Sequence, residues 1–139
     1  AYNPSGTTGI STTGGVLQVT LSGAGDDVDS GAKLEMSSSL TAGKTYKIVA
    51  DIWLGTETNP NLWRIHLGGI QEGIVLSSTQ TTFTVYIKAN DQADLLIYQT
   101  DVDSATGTFF IDNVSVRELN GYPGITAADA TFSTDTPDD

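Results

Sequence analysis

The chain is predicted to be all-β, folded as a jelly-roll β-sandwich of about eight antiparallel strands with extended N- and C-terminal arms. Three observations carry this reading. Apolar and polar residues alternate through most runs between Val16 and Arg117, as in strands whose side chains point by turns to opposite faces. Clusters of Gly, Asn, Asp, Ser and Thr separate those runs, the chemistry of turns between short strands. No apolar stripe recurs at a helical period. At 139 residues the chain suits one domain and can bury a core.

Residues 1–13 are mostly small, polar and uncharged and read as an N-terminal arm. The sandwich is expected over 14–118. Its first run, Val16 to Ser22, puts Leu17, Val19 and Leu21 on one face. An acidic loop from Gly23 to Ser30 leads to a short strand over Ala32 to Met36, with Leu34 and Met36 inward. After turn chemistry at Thr41 to Lys44 comes the longest run, Thr45 to Leu54. There Tyr46, Ile48, Ala50, Ile52 and Leu54 share one face, while Lys47, Val49, Asp51 and Trp53 share the other. Leu62 to Leu67 sets Trp63, Ile65 and Leu67 against Arg64 and His66, so Trp63 is expected in the core. Gly68-Gly69 turns the chain, and Gly73 to Leu76 is short. Thr81 to Lys88 puts Phe83, Val85 and Ile87 inward and Tyr86 outward, and Leu95 to Tyr98 is densely apolar.

The stretch Gly107 to Arg117 closes the series, and its alternation slips. Phe109 and Ile111 share one parity, Val114 and Val116 the other, with Asp112-Asn113 between them. A slip of one marks either a strand buried on both faces or a β-bulge. Beyond Glu118 the pattern stops. Residues 119–139 read as a C-terminal arm with scattered apolar anchors, Tyr122, Ile125 and Phe132, ordered only where it docks.

Six Lys+Arg against 17 Asp+Glu give a net charge of −11. That excludes nucleic acid as a partner, since phosphate backbones require basic patches, and argues against adhesion to anionic lipid. No apolar run approaches a membrane span, so no membrane insertion is expected. With no Cys, disulfides and thiolate metal sites are absent. No basic leader followed by an apolar segment opens the chain. The single His leaves no His-based metal cluster. No nucleophile elbow, phosphate loop or zinc signature appears, so the protein is expected not to be an enzyme.

Gly14-Gly15-Val16-Leu17-Gln18-Val19, the Leu40 to Ile48 turn and strand, Thr82-Phe83-Thr84 and the Thr108 to Val116 closing strand together resemble the carbohydrate-binding-module superfamily of β-jelly rolls. The resemblance covers roughly 14–118 and is carried by core and turn residues, so it implies the fold more than the ligand. Members commonly hold a structural Ca2+ between an Asn-rich opening strand and an acid matching Asp112; here only the Ser/Thr/Gly arm precedes Gly14. Separately, the Asn120 to Ile125 segment and the Thr134 to Pro137 ending resemble C-terminal extensions of bacteriophage virion proteins.

Sugar rings stack on exposed aromatic faces while flanking polar groups orient them. On that ground the candidate glycan-binding residues are Trp53 and Tyr86, which face outward, Tyr98, and the polar pair Arg64 and His66. Asp112 is either the pin of the bulge or a ligand of Ca2+, the one cofactor in question. Asp26, Asp27, Asp29, Asp101 and Asp103 read as solvated turns. The expectation is a non-catalytic structural or adhesive protein of a virion surface, a capsid decoration or fibre type assembled in the host cytoplasm. Its partners would be other capsid subunits or its own copies, with contact to cell-surface or polymeric glycan. The alternative is an extracellular glycan-binding module of a secreted bacterial glycoside hydrolase.

Overall fold

The computed structural model describes residues 8–22, 30–61, 63–100 and 106–120. Nine strands and one short 3-10 turn occur among them. The strands are β1 (Thr8–Thr13), β2 (Val16–Ser22), β3 (Ser30–Leu34), β4 (Thr45–Leu54), β5 (Trp63–Leu67), β6 (Ile70–Ile74), β7 (Thr81–Lys88), β8 (Leu95–Gln99) and β9 (Thr106–Glu118). One sheet has the order β1-β2-β9-β4-β7 and the other β3-β8-β5-β6. Every pairing is antiparallel. The expected all-β sandwich is therefore present.

Part of the expected N-terminal arm is not an arm. Residues Thr8–Thr13 pair along their whole length with Val16–Leu21, joined by Gly14-Gly15 at φ 61° and 89°. A two-residue turn with both central φ positive matches the twist of a hairpin, and glycine enters that region without steric cost. The segment escapes an alternation test because it carries only one large apolar residue, Ile10, and sits at a sheet edge.

The core forms from the inward parity of both sheets. Val19, Ile48, Ala50, Ile52 and Phe109 of the first sheet and Trp63, Ile65 and Leu67 of the second are fully buried. Trp63 meets Phe109 edge-on, ring centroids 4.6 Å apart, which joins the sheets directly. The indole of Trp63 donates to the Asn59 carbonyl at 2.8 Å, so its polar edge is satisfied. At the start of β9, Gly107 has φ 110°, and a Cβ there would lie 2.5 Å from the Glu57 amide nitrogen. Glycine is required where the loop after β4 closes on β9.

The slip in β9 is a bulge. Asp51 pairs with Asp112 and Val49 with Ser115, so Ala50 faces two residues, Asn113 and Val114. Asn113 takes up the extra length at φ 51°, a left-handed conformation that Asn tolerates better than most residues. The bulge lets Val116 oppose Ile48 on the inner face, just as Ile111 opposes Ile52. Past it β2 no longer flanks β9. An apolar cleft of about 190 Å³ opens there, lined by Leu17, Leu34, Leu95, Ile97, Ile111 and Val114.

One inward residue is chemically out of place. Gln99 is 1% exposed, and neither its amide nitrogen nor its oxygen has a hydrogen-bond partner. A buried unpaired polar group costs about 1–3 kcal/mol. Gln99→Met keeps the volume and removes that cost. It is expected to raise Tm by a few degrees in a thermal melt; a lowered Tm would show that the amide is satisfied in solution.

Candidate functional site

The outer face of the five-stranded sheet carries the feature best suited to hold a ligand. Trp53 and Phe110 are cross-strand partners on β4 and β9. Their rings stack with centroids 5.3 Å apart and planes 25° from parallel. Both are half-buried, each supporting the other. Gly55 and Thr108 bound this pair: a Cβ on Gly55 would lie 2.7 Å from the Phe110 ring and 2.3 Å from the Thr108 hydroxyl. The rim is tied further by the Thr56 amide, which donates to the Thr108 hydroxyl at 3.0 Å. Gln18 of β2 lies beside Phe110 in the same row.

A polar row follows one step along the strands. Asp51 lies between Thr82 of β7 and Asp112 of β9. Its carboxylate accepts from the Thr82 hydroxyl, from Asn113 Nδ2 at 2.8 Å and from Gln80 Nε2 at 3.1 Å. The Thr82 bond first, then that of Asn113, holds the Asp51 carboxyl below the ordinary carboxylate range, with Gln80 adding to them against a smaller opposing desolvation. Asp51 is thus a fixed anion whose geometry is set by three side chains from two other chain segments. Such a row presents acceptors and amide donors at defined positions beside an apolar platform, which suits a polyhydroxylated ring.

Asp112 Oδ1 accepts the amide of Asn113 at 2.8 Å, so the carboxylate pins the bulge. Calcium requires six to eight oxygens. Among the described residues no three His, Cys, Asp or Glu side chains gather as a metal set, and Asp51 and Asp112 alone supply too few oxygens. These residues do not fit a calcium site.

The five glycan candidates from the sequence do not converge. Trp53 and Tyr86 share the outer face just described, with Tyr86 56% exposed. Arg64, His66 and Tyr98 share the outer face of the other sheet, on the opposite side of the sandwich. Tyr98 is only 5% exposed; its hydroxyl donates to Gln71 Oε1 at 2.8 Å and its ring lies 6.2 Å from that of His66. A side chain so covered offers no stacking platform. Arg64 donates to the Trp63 carbonyl at 2.9 Å. The assembly anchors Tyr122, Ile125 and Phe132, with Asp26, Asp27, Asp29, Asp101 and Asp103, lie outside the described residues. Sequence reasoning missed Phe110 and Asp51 as site residues, although both have outward parity.

No protein-family model matches the chain, and no curated protein matches it. Solved structures do. The apo carbohydrate-binding module CBM1 of BiXyn10A aligns with TM-score 0.58 at 18% identity, covering 79% of this chain and 79% of that one. A CBM4 module aligns with TM-score 0.56 at 20% identity, covering 81% and 78%. The CBM22-1–GH10 modules of Clostridium thermocellum xylanase 10B, complexed with xylohexaose, align with TM-score 0.56 at 20% identity, covering 88% of this chain and 26% of that one. At such identities the likeness establishes the fold alone, a jelly-roll β-sandwich. It lends nothing to the virion-surface expectation.

The Asp51 arrangement has a pH consequence. Because its folded-state carboxyl sits below the ordinary range, its stabilisation is complete above that range and is lost as pH falls through the lowered value. Asp51→Asn is therefore expected to narrow the stability gap to wild type as pH drops from about 5 to about 2. Melting curves across that interval check it; a gap constant with pH would exclude the carboxylate as the source.

Proposed function

We propose that the protein is a non-catalytic glycan-binding module that works outside the cell as part of a carbohydrate-active enzyme, with polymeric glycan as its partner. The observation that carries this is the Trp53–Phe110 stack on an open sheet face beside the Asp51–Thr82–Asn113 row. Fully packed aromatics would need no such row, and a solvated polar face would carry no stacked indole. The pyranose would lie on the Trp53 ring by apolar and C–H/π contact. Hydroxyls would then meet the free lone pairs of Asp51 and Asp112 and the Thr82 oxygen. Tyr86, further along the same face, would give an extended chain a second surface.

The fold likeness supports this reading over a virion role. Xylohexaose, the ligand of one similar structure, makes xylan-type chains the first to test. A preformed face also fits the energetics, since binding would order few protein side chains.

The test is titration calorimetry with soluble xylan, mixed-linkage β-glucan and xylohexaose. At least one is expected to bind, and Trp53→Ala is expected to weaken it at least tenfold, as loss of a central aromatic anchor does. Binding unchanged in Trp53→Ala, or none across a broad glycan panel, would overturn the proposal.

A further inference from the structure

The same outer face is segregated by charge along its length, and its far end has no role in the reading above. Lys47 lies directly opposite Arg117 of β9 and opposite Tyr86 of β7. Lys88 follows Tyr86 by two positions on the same face. The whole chain has six Lys+Arg against 17 Asp+Glu, yet three of the six meet around one exposed tyrosine. Like charges directly opposite on neighbouring strands are destabilising. A merely solvated surface of this acidic composition would set an acid beside each base. It does not: among the described residues the ion pairs are those of Lys33 with Glu35 and Asp94. The acids of this face stand together instead, Asp51 opposite Asp112.

Four residue steps along β4 separate Lys47 from Asp51, roughly 13 Å at the rise of a strand. That exceeds the screening length of about 8 Å at physiological salt. The basic end is thus electrostatically separate from the acidic row of Asp51 and Asp112. An Arg and two Lys side chains there offer several N–H donors, and the guanidinium can take a carboxylate bidentately.

Resting on the glycan-binding reading, we infer that Lys47, Lys88 and Arg117 form an anion subsite for a carboxylate carried by the bound glycan. The ligand class is then a polysaccharide with a neutral backbone and sparse uronic acid branches. The backbone lies along Trp53 and the Asp51 row, where a carboxylate would be repelled, and a branch meets the basic end. A chain charged at every residue is disfavoured by Asp51 and Asp112.

The experiment compares xylohexaose with a xylo-oligosaccharide bearing one glucuronic acid branch, by calorimetry on the full chain. The branched ligand is expected to bind about three- to tenfold tighter at low ionic strength, the scale of a few exposed ion pairs. That advantage should shrink in about 0.5 M NaCl through screening. In Lys47→Gln/Arg117→Gln it should vanish while xylohexaose binding stays unchanged. The variant removes a repulsive pair, so a melting temperature at or above wild type is expected and confirms folding. Equal binding of the two ligands, an advantage insensitive to salt, or one that survives the double variant would each overturn the anion subsite alone. Binding of neither ligand would overturn the subsite, and joined to no binding across the broad glycan panel it would overturn the glycan reading as well.

Discussion

The arrangement of both faces depends on the one-residue bulge in β9. Without it, Val114 and Val116 would point outward wherever Phe109 and Ile111 point inward, and half the central strand would present its apolar side to water. Asn113 at φ 51° absorbs the extra residue. Its side chain then reaches Asp51 on the neighbouring strand, while Asp112 holds its amide. One local irregularity therefore completes the core beneath the sheet and braces the carboxylate above it. Bulges recur where a strand must re-aim side chains, and this one does so on both sides at once.

Across the sandwich the two sheets divide the work. The Trp63–Phe109 contact locks them together at the core. The second sheet covers its outward aromatic, Tyr98, and ties it to Gln71. The first leaves Trp53 and Phe110 stacked on an open face. Cross-strand rows set the order of chemistry along that face: aromatic pair, acidic and amide groups, then Tyr86 among cations. Strand rise and register fix the spacing of these groups, independent of loop conformation.

The architecture was legible because alternation reports it. Tyr46 to Leu54 has one clean apolar face in the sequence and one buried face in the structure. The parity slip at Asp112-Asn113 likewise announced the bulge. Edge strand β1 was not legible by that signal, since it is held by backbone pairing more than by apolar burial; Gly14-Gly15, a two-residue turn between runs, was the clue available. The site was half legible. Outward parity exposes Trp53, but parity cannot say which sheet a strand joins, so Arg64, His66 and Tyr98 could not be separated from Trp53 and Tyr86. Phe110 is masked in an unbroken Phe-Phe-Ile run. The partners that define Asp51, Thr82 and Asn113, come from 31 and 62 residues away, a distance no local pattern spans.

The alternation of β4 also separates two kinds of inheritance. Tyr46, Ile48, Ala50, Ile52 and Leu54 answer only to the packing between sheets, while Lys47 and Trp53, interleaved with them, answer to what lies on the face. Substitution in one set leaves the other nearly undisturbed. A lineage built on this strand can change what it recognises one outward residue at a time, keeping its core intact at every step.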